Sequence, residues 1–464
     1  MAPTAAGLPW PAHRQPVQLH SVRVRTVTGL AALLVVAIGA ASAAAALTES
    51  IDRPAVATRQ AEPASPLAAE VVTIYNSGPL RQDVADRAVA AARASGASVA
   101  FGRAASVGMV ALRRGSAPVQ IPQQGFAYPM GTTVLPPDVI ARTMGRDVSG
   151  LLGPNTAVMG SLTAGLRGAQ AGDTMDLVSG SGAIVPITVA AVVDDDVLGG
   201  TELLIVPAAA DRLGITNLSR AVLWGFPSRA AIDAAMSANG LVSTSIRIRR
   251  SWDPADPDST MGMAQTKAAL GEFAYRVNAN GSVSLDDAWR SRYITTGGIG
   301  GLSLQTGCHS TVRVALQSAM DEVAARGLTG TINFVDANRA GGCFLARFNR
   351  LTPDSSLGFL SRHSWGMAVD TNTVGSCQGC APPDFATRPG GCQTVQIFRK
   401  HGFAWGGNYL TPDGMHFEWV GEPRDQLSYP SRFCPNVVTS APLTTEPTER
   451  ATLFADDGLY VGDH

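Results

Sequence analysis

Two rhythms of hydrophobic and polar positions run along this chain. Glu70 to Tyr75 is apolar and β-branched in the manner of a strand. Asp83 to Ser95 is rich in alanine and reads as a helix. Short apolar strands are expected at Val107–Leu112, Ile184–Val193 and Leu203–Val206, with Gly and Pro punctuating between them. The helical period returns further on, where Val312, Leu316, Ala319, Met320 and Val323 fall on one face. Ser310 or Thr311 can cap that helix, which runs to Arg326 and stops at Gly327. Thr331–Val335 and Met415–Val420 read as strands, and Gln393–His401 as a helix ended by Gly402.

One stretch has no amphipathic rhythm. Val27 to Leu47 carries no charge and is long enough for one membrane crossing. Arg14, Arg23 and Arg25 precede it, and Glu49 and Asp52 come after it, which keeps residues 1–26 in the cytoplasm. Either residues 27–47 anchor a single-pass cell-membrane protein, or they are a signal sequence cut near Ala41–Ala43 and the protein is secreted. Both readings export the chain beyond residue 48. Residues 48–69 and 251–261 have linker compositions. They divide the exported part into a mixed α/β domain (70–250), a C-terminal domain (262–437) and a flexible tail (438–464). The length of 464 residues agrees with more than one core.

All six cysteines (Cys308, Cys343, Cys377, Cys380, Cys392, Cys434) lie in the last third. In an exported segment an even count reads as disulfides of undetermined connectivity. Cys377 and Cys380 could instead form half a zinc knuckle or a redox pair. The 36 basic and 37 acidic residues nearly cancel, so nucleic acid is not an expected partner. The 70–250 region has neither histidine nor cysteine, so metal or nucleophilic chemistry is not expected there. Its triplet Asp194–Asp196 reads as a solvated turn, with cation binding as the alternative.

Chemistry concentrates in Ser361–Asp370 and Asp413–Trp419. Two histidines and an aspartate could share one ion and leave a position open for water, as a hydrolytic zinc site requires. A further carboxylate could take the proton which that water must lose. His363 and Asp370 are seven apart and would face opposite ways on a flat strand, so a bend is expected at Gly366. Asp413 and His416 lie three apart, across a turn entering a strand. Glu418, two residues beyond His416, is the rival base or an acceptor that orients the His416 ring. His309 and His401 sit at helix ends, where capping or a dipole contact accounts for them as well as metal binding does. Trp365, Trp405 and Trp419 wall the site or fill the core.

The pattern Ser361-x-His363-x-x-Gly366-x-Ala368-x-Asp370, then Trp405-Gly-Gly and Asp413-x-x-His416, resembles the zinc D-Ala-D-Ala carboxypeptidase and L-Ala-D-Glu endopeptidase family over about residues 262–435. Asp370-Thr-Asn372 also fits that pattern. The resemblance implies a metallopeptidase with Zn2+ held by His363, Asp370 and His416. It implies Asp413 as the general base and Ser361 and Trp405 near the substrate. An upstream arginine would meet the substrate carbonyl; Arg347, after Gly341-Gly-Cys343, fits better than Arg339. The implied substrate is a peptidoglycan stem peptide, cut in D-Ala-D-Ala carboxypeptidase fashion. Alternatives are a stem-peptide endopeptidase of L,D or other type, or a non-catalytic wall-binding module coupled to a membrane assembly. Gly160–Thr174 resembles the extracytoplasmic core domain of macrolide-exporter-type ABC permeases, which implies interaction or positioning; an unrelated spacer is the alternative. The protein partners of that domain are unknown. The expected fold class is α+β: a small antiparallel sheet flanked by helices in the C-terminal peptidase domain, a separate mixed α/β domain before it, and one N-terminal transmembrane helix.

Overall fold

Val71–Tyr75 forms strand β1, buried along its whole length, as a near-continuous apolar run implies. The computed structural model describes residues 70–349, 357–373, 384–438 and 447–455. Helix α1 (Gln82–Ser95) comes next and stops at Gly96, whose φ of 71° is left-handed. Strands β2 (Ser98–Arg114) and β8 (Leu218–Trp224), helix α2 (Arg229–Ala238) and strand β9 (Arg247–Arg250) complete a βαββαβ unit. Its strands lie in the antiparallel order β9–β1–β8–β2, which is ferredoxin-like.

Between β2 and β8 the chain inserts β3 (Tyr128–Val134), β4 (Thr156–Gly160), β5 (Thr174–Val178), β6 (Ile184–Val193) and β7 (Leu203–Ile205). The 17-residue β2 is long enough to serve both units. Beyond its pairing with β8 it pairs with β3 on one side and β5 on the other. The ring β2–β3–β7–β4–β6–β5 closes on itself, with β3/β7 and β4/β6 parallel and the other pairs antiparallel. Closure removes the free edges that a strand would otherwise present to other chains. Met109, Leu112, Met130, Met159, Leu177 and Ile187 belong to its core. The mixture of helices and sheets agrees with the α+β expectation, and the barrel adds a feature that the alternation of elements did not announce.

The described residues from Glu70 onward fall within one compact unit. Helix α3 (Met263–Leu270) carries Lys267, whose ammonium lies 2.8 Å from Glu202 at the start of β7. Arg167 pairs with Glu272, and all four side chains are buried. Tyr275 and Ala127 exchange backbone hydrogen bonds of 2.8 Å. Residues 251–261 are not a solvated linker. Asp256 pairs with Arg247 and Asp258 with Arg399, and both carboxylates are buried, because each acid has a guanidinium waiting for it. The looseness expected of 438–464 fails for Pro447–Ala455. There Glu449 pairs with the buried Arg249, and Leu453 and Phe454 join the core. The expected span at 27–47 lies outside the described residues. Among the described residues no helix is long and apolar enough to cross a membrane.

In the C-terminal part, helix α4 (Ser310–Ala325) buries the five residues read from its spacing. His309, rather than Ser310 or Thr311, caps it: its Nδ1 accepts from the Thr311 N–H at 3.2 Å. Thr331–Val335 is not a strand. A 3-10 turn at Thr329–Thr331 leads into helix α5 (Phe334–Ala340), capped by the Asn333 side chain, a local competitor that strand propensity ignores. Helix α6 (Gly391–Lys400) packs beside strands β10 (Ala368–Asp370), β11 (Phe403–Trp405) and β12 (His416–Trp419), ordered β10–β12–β11, all antiparallel. Disulfides join Cys308 to Cys343 and Cys392 to Cys434. Cys377 and Cys380 lie outside the described residues.

A candidate metal centre

Strand β12 alternates His416, Phe417, Glu418, Trp419, so its imidazole and carboxylate share one face and its aromatic rings the other. Phe417 pairs with Val369 and Trp405, which builds the core face. On the opposite face Asp370 stands directly across from His416. Cross-strand partners have neighbouring side chains, and Asp370 Oδ1 lies 3.2 Å from His416 Nδ1. Glu418 is flanked by Ala368 and Ala404, whose small side chains leave space for a carboxylate.

His363 arrives from a different element. Residues Arg362–Trp365 form a 3-10 turn, capped by Ser361, whose hydroxyl accepts from the His363 N–H at 3.2 Å. Gly366 makes the expected bend, with φ of 63°. A Cβ there would come within 2.8 Å of the His309 nitrogen, so the position demands glycine twice over. The bend brings His363 Nε2 to 3.4 Å from Asp370 Oδ2. His363 Nδ1 lies 2.9 Å from the Cys343 carbonyl and donates to it, which leaves Nε2 facing Asp370.

One donor atom each from His363, Asp370 and His416 therefore falls within 4.8 Å of the others, a spacing and donor set that fit a zinc ion. Asp413 sits in the turn before β12. Its N–H bonds the Gly406 carbonyl at 2.8 Å and its carbonyl accepts from His416 at 3.2 Å. A Cβ on Gly406 would strike this turn at 2.6 Å, which explains glycine after Trp405. Asp413, His416 and Glu418 are buried. Burial pulls the His416 pKa down, but the Asp370 hydrogen bond, Glu418 and the Asp413 charge outweigh it and hold it well above the usual imidazole value. Carboxylates that drive a buried imidazole toward protonation also favour a cation.

The other expected site residues take supporting or separate places. Arg347 is half-buried; its backbone runs beside the turn, with its N–H donating to Ser364 Oγ and its carbonyl accepting from Ser361. Arg339 is exposed on α5. Trp405 is completely buried with its indole N–H on the Gly414 carbonyl, and Ser361 is turned inward, so both support the site from behind. His401 bonds Glu322 at 2.7 Å, and His309 Nε2 meets the Leu270 carbonyl at 3.0 Å with its pKa lowered by burial. Neither belongs to the metal-ligand group. Asp195 accepts from Ser161 and the Leu162 N–H, as a helix cap does.

Three participants escaped the sequence reading. Arg362, an unassigned position inside the first motif, lies 3.4 Å from Glu418. Asp258, read as linker, accepts from the Trp405 N–H, Asn408 and Arg399, and so fixes the strand and turn that carry Asp413. Tyr409 has its ring 5.9 Å from that of His416 and packs on Tyr75 of β1, so the βαββαβ unit reaches the rim of the centre.

No curated protein matches this chain. Residues 355–419 match the family model described as D-alanyl-D-alanine carboxypeptidase, a stretch that contains His363, Asp370, Asp413 and His416. The match supports a hydrolytic peptidase, and the cluster of two imidazoles and a carboxylate agrees with a zinc-dependent one. The segment that builds the metal centre is thus similar to the family its motifs resemble, over residues 355–419.

Proposed function

We propose that the protein is an exported zinc peptidase that hydrolyses peptidoglycan stem peptides, in the manner of a D-Ala-D-Ala carboxypeptidase. The observation that carries this reading is the convergence of Asp370 and His416, in register across β10 and β12, with His363 from the 3-10 turn, and with Asp413 in the turn before β12. Zinc held by these three would act as a Lewis acid and supply a nucleophile at neutral pH. Asp413 takes the proton from the attacking water and returns it to the leaving amine. Glu418 is less suited to that task, because Arg362 and His416 engage its two oxygens. Arg347 meets the substrate carbonyl or the free carboxylate of the terminal D-Ala, and its backbone contacts with Ser361 and Ser364 favour it over the exposed Arg339. The disulfides Cys308–Cys343 and Cys392–Cys434 favour an oxidising compartment, which agrees with export by the 27–47 segment as anchor or signal.

The test is to incubate the purified protein with defined pentapeptide and tetrapeptide stems, with and without chelator, and to identify the cut bond by mass spectrometry. Release of the terminal D-Ala, abolished by chelator and restored by zinc, is expected. Cleavage within the stem would replace the carboxypeptidase with an endopeptidase. Turnover that survives full metal removal would overturn the metal mechanism.

A further inference from the structure

The guanidinium of Arg362 is buried and reaches three different places. Nη2 donates to the Met261 carbonyl at 2.6 Å, and Nη1 to the Thr266 hydroxyl at 3.0 Å. Its Nε edge lies 3.4 Å from Glu418 Oε1. The second oxygen, Oε2, is 3.6 Å from His416 Nε2, while His416 Nδ1 faces Asp370 at 3.2 Å. The two nitrogens of one ring are thus matched to two carboxylates, one on the metal side and one behind. A ligating histidine holds its tautomer and angle through the nitrogen that does not bind the metal.

Glu418 can do this only if its carboxylate is held still in a buried site. A lone buried carboxylate is strongly disfavoured, so a partner is required. Arg362 is that partner. Consecutive residues of a 3-10 turn diverge by about 120°, so Arg362 and His363 leave the same turn in different directions and meet β12 at different points. Both anchors of Arg362 belong to α3 or the segment leading into it. That helix is fastened to the barrel by Lys267, which bonds Glu202 at 2.8 Å.

We propose that Arg362 is a positioning residue: it holds Glu418 behind His416, fixes which imidazole nitrogen faces the metal position, and makes the barrel, through α3, part of the metal centre's support. The proposal rests on the metallopeptidase reading, and its test reads metal affinity rather than turnover. Zinc affinity of the full-length protein is measured by competition with a chromophoric chelator, and the visible spectrum of the Co(II) form reports the ligand field. Arg362→Gln is expected to weaken zinc binding about 10- to 100-fold and to alter the Co(II) spectrum. Arg362→Lys is expected to recover most of that loss. In a Glu418→Gln background, Arg362→Gln is expected to cost no more than about twofold further, because the carboxylate it holds is gone. Thr266→Val removes one anchor and keeps the charge. Its expected loss is about threefold, and it decides the matter should Arg362→Gln fail to fold. An Arg362→Gln affinity within twofold of wild type, or an equal loss with and without Glu418, would overturn the proposal. Wild-type protein that binds neither zinc nor cobalt would instead overturn the metallopeptidase reading.

Discussion

Two of the buried charge clusters among the described residues are built on opposite plans. Beside the barrel, Lys267 and Arg167 meet Glu202 and Glu272, so each carboxylate has a permanent cation. Glu202 further accepts from the Gly131 N–H and Thr163. At the metal centre the partners of Asp370 are imidazoles, and a raised pKa on His416 expresses the pull of the surrounding carboxylates. Fixed cations close a network and leave nothing to bind. Titratable donors beside carboxylates keep a place that a proton or a metal can take. The same residue classes thus make a clasp in one region and a binding site in the other.

The contrast breaks if the two clusters respond alike to mutation. Asp413→Asn is expected to lower the hydrolysis rate by about 10²- to 10⁴-fold with zinc affinity nearly unchanged, read by steady-state kinetics and metal competition on the same sample. Glu418→Gln is expected to do the reverse, losing affinity before rate. If Glu418→Gln alone abolishes turnover with the metal retained, the two carboxylates have exchanged roles. In the barrel cluster Lys267→Met leaves Glu202 with only the more distant Arg167 cation, at 4.0 Å, and is expected to cost about 3 kcal/mol of stability, measured by chemical denaturation. Adding Glu202→Gln should return part of that, since a buried charge short of a close partner costs more than an absent pair.

The site was far more legible in the sequence than the body that supports it. His416-Phe-Glu-Trp419 announces its two faces through alternation, and Gly366 is the only residue type that fits where the chain must turn. Such signals are local, and periodicity reads them. Ring closure of the barrel depends on β2 pairing with β5, whose partners such as Leu112 and Met175 are far apart in the chain, and nothing in either strand alone states that pairing. Asp256 and Asp258 looked like linker residues because their arginine partners come from Arg247 and Arg399. Arg362 was hidden for a related reason: its position in the motif admits many residues, and its role appears only once Glu418 and α3 are placed beside it.

Acidity sharpens the comparison next. Without metal, His416 has a folded pKa above its unfolded value. It therefore contributes stability that is fully present below about pH 6.5 and is lost as pH rises through the higher folded value. Metal binding must displace that proton, so zinc affinity should rise with pH over the same window. Opposite pH slopes for the stability of the metal-free protein and for zinc affinity, seen by thermal shift and competition titration, are the expected result. Parallel slopes would mean that His416 is not a ligand.

The smallest effect belongs to a third cluster, on the surface. Glu322 meets Lys400 at 2.9 Å, His401 at 2.7 Å and Arg326. Partial burial pushes its pKa up, but the hydrogen bonds from these three win and lower it to about 2. A depressed carboxylate stabilises above its unfolded value and loses that contribution as pH falls through the folded one, here between about pH 4.3 and about 2. Lys400 and Arg326 are about half exposed, so solvent and salt screen the cluster. Glu322→Gln is accordingly expected to cost no more than about 1 kcal/mol and to leave zinc affinity unchanged. A fall in zinc affinity on this substitution would make His401 a participant in the metal centre. An unchanged affinity with a shallower acid-unfolding limb would confine it to the end of α6, where helix dipole and carboxylate already account for it.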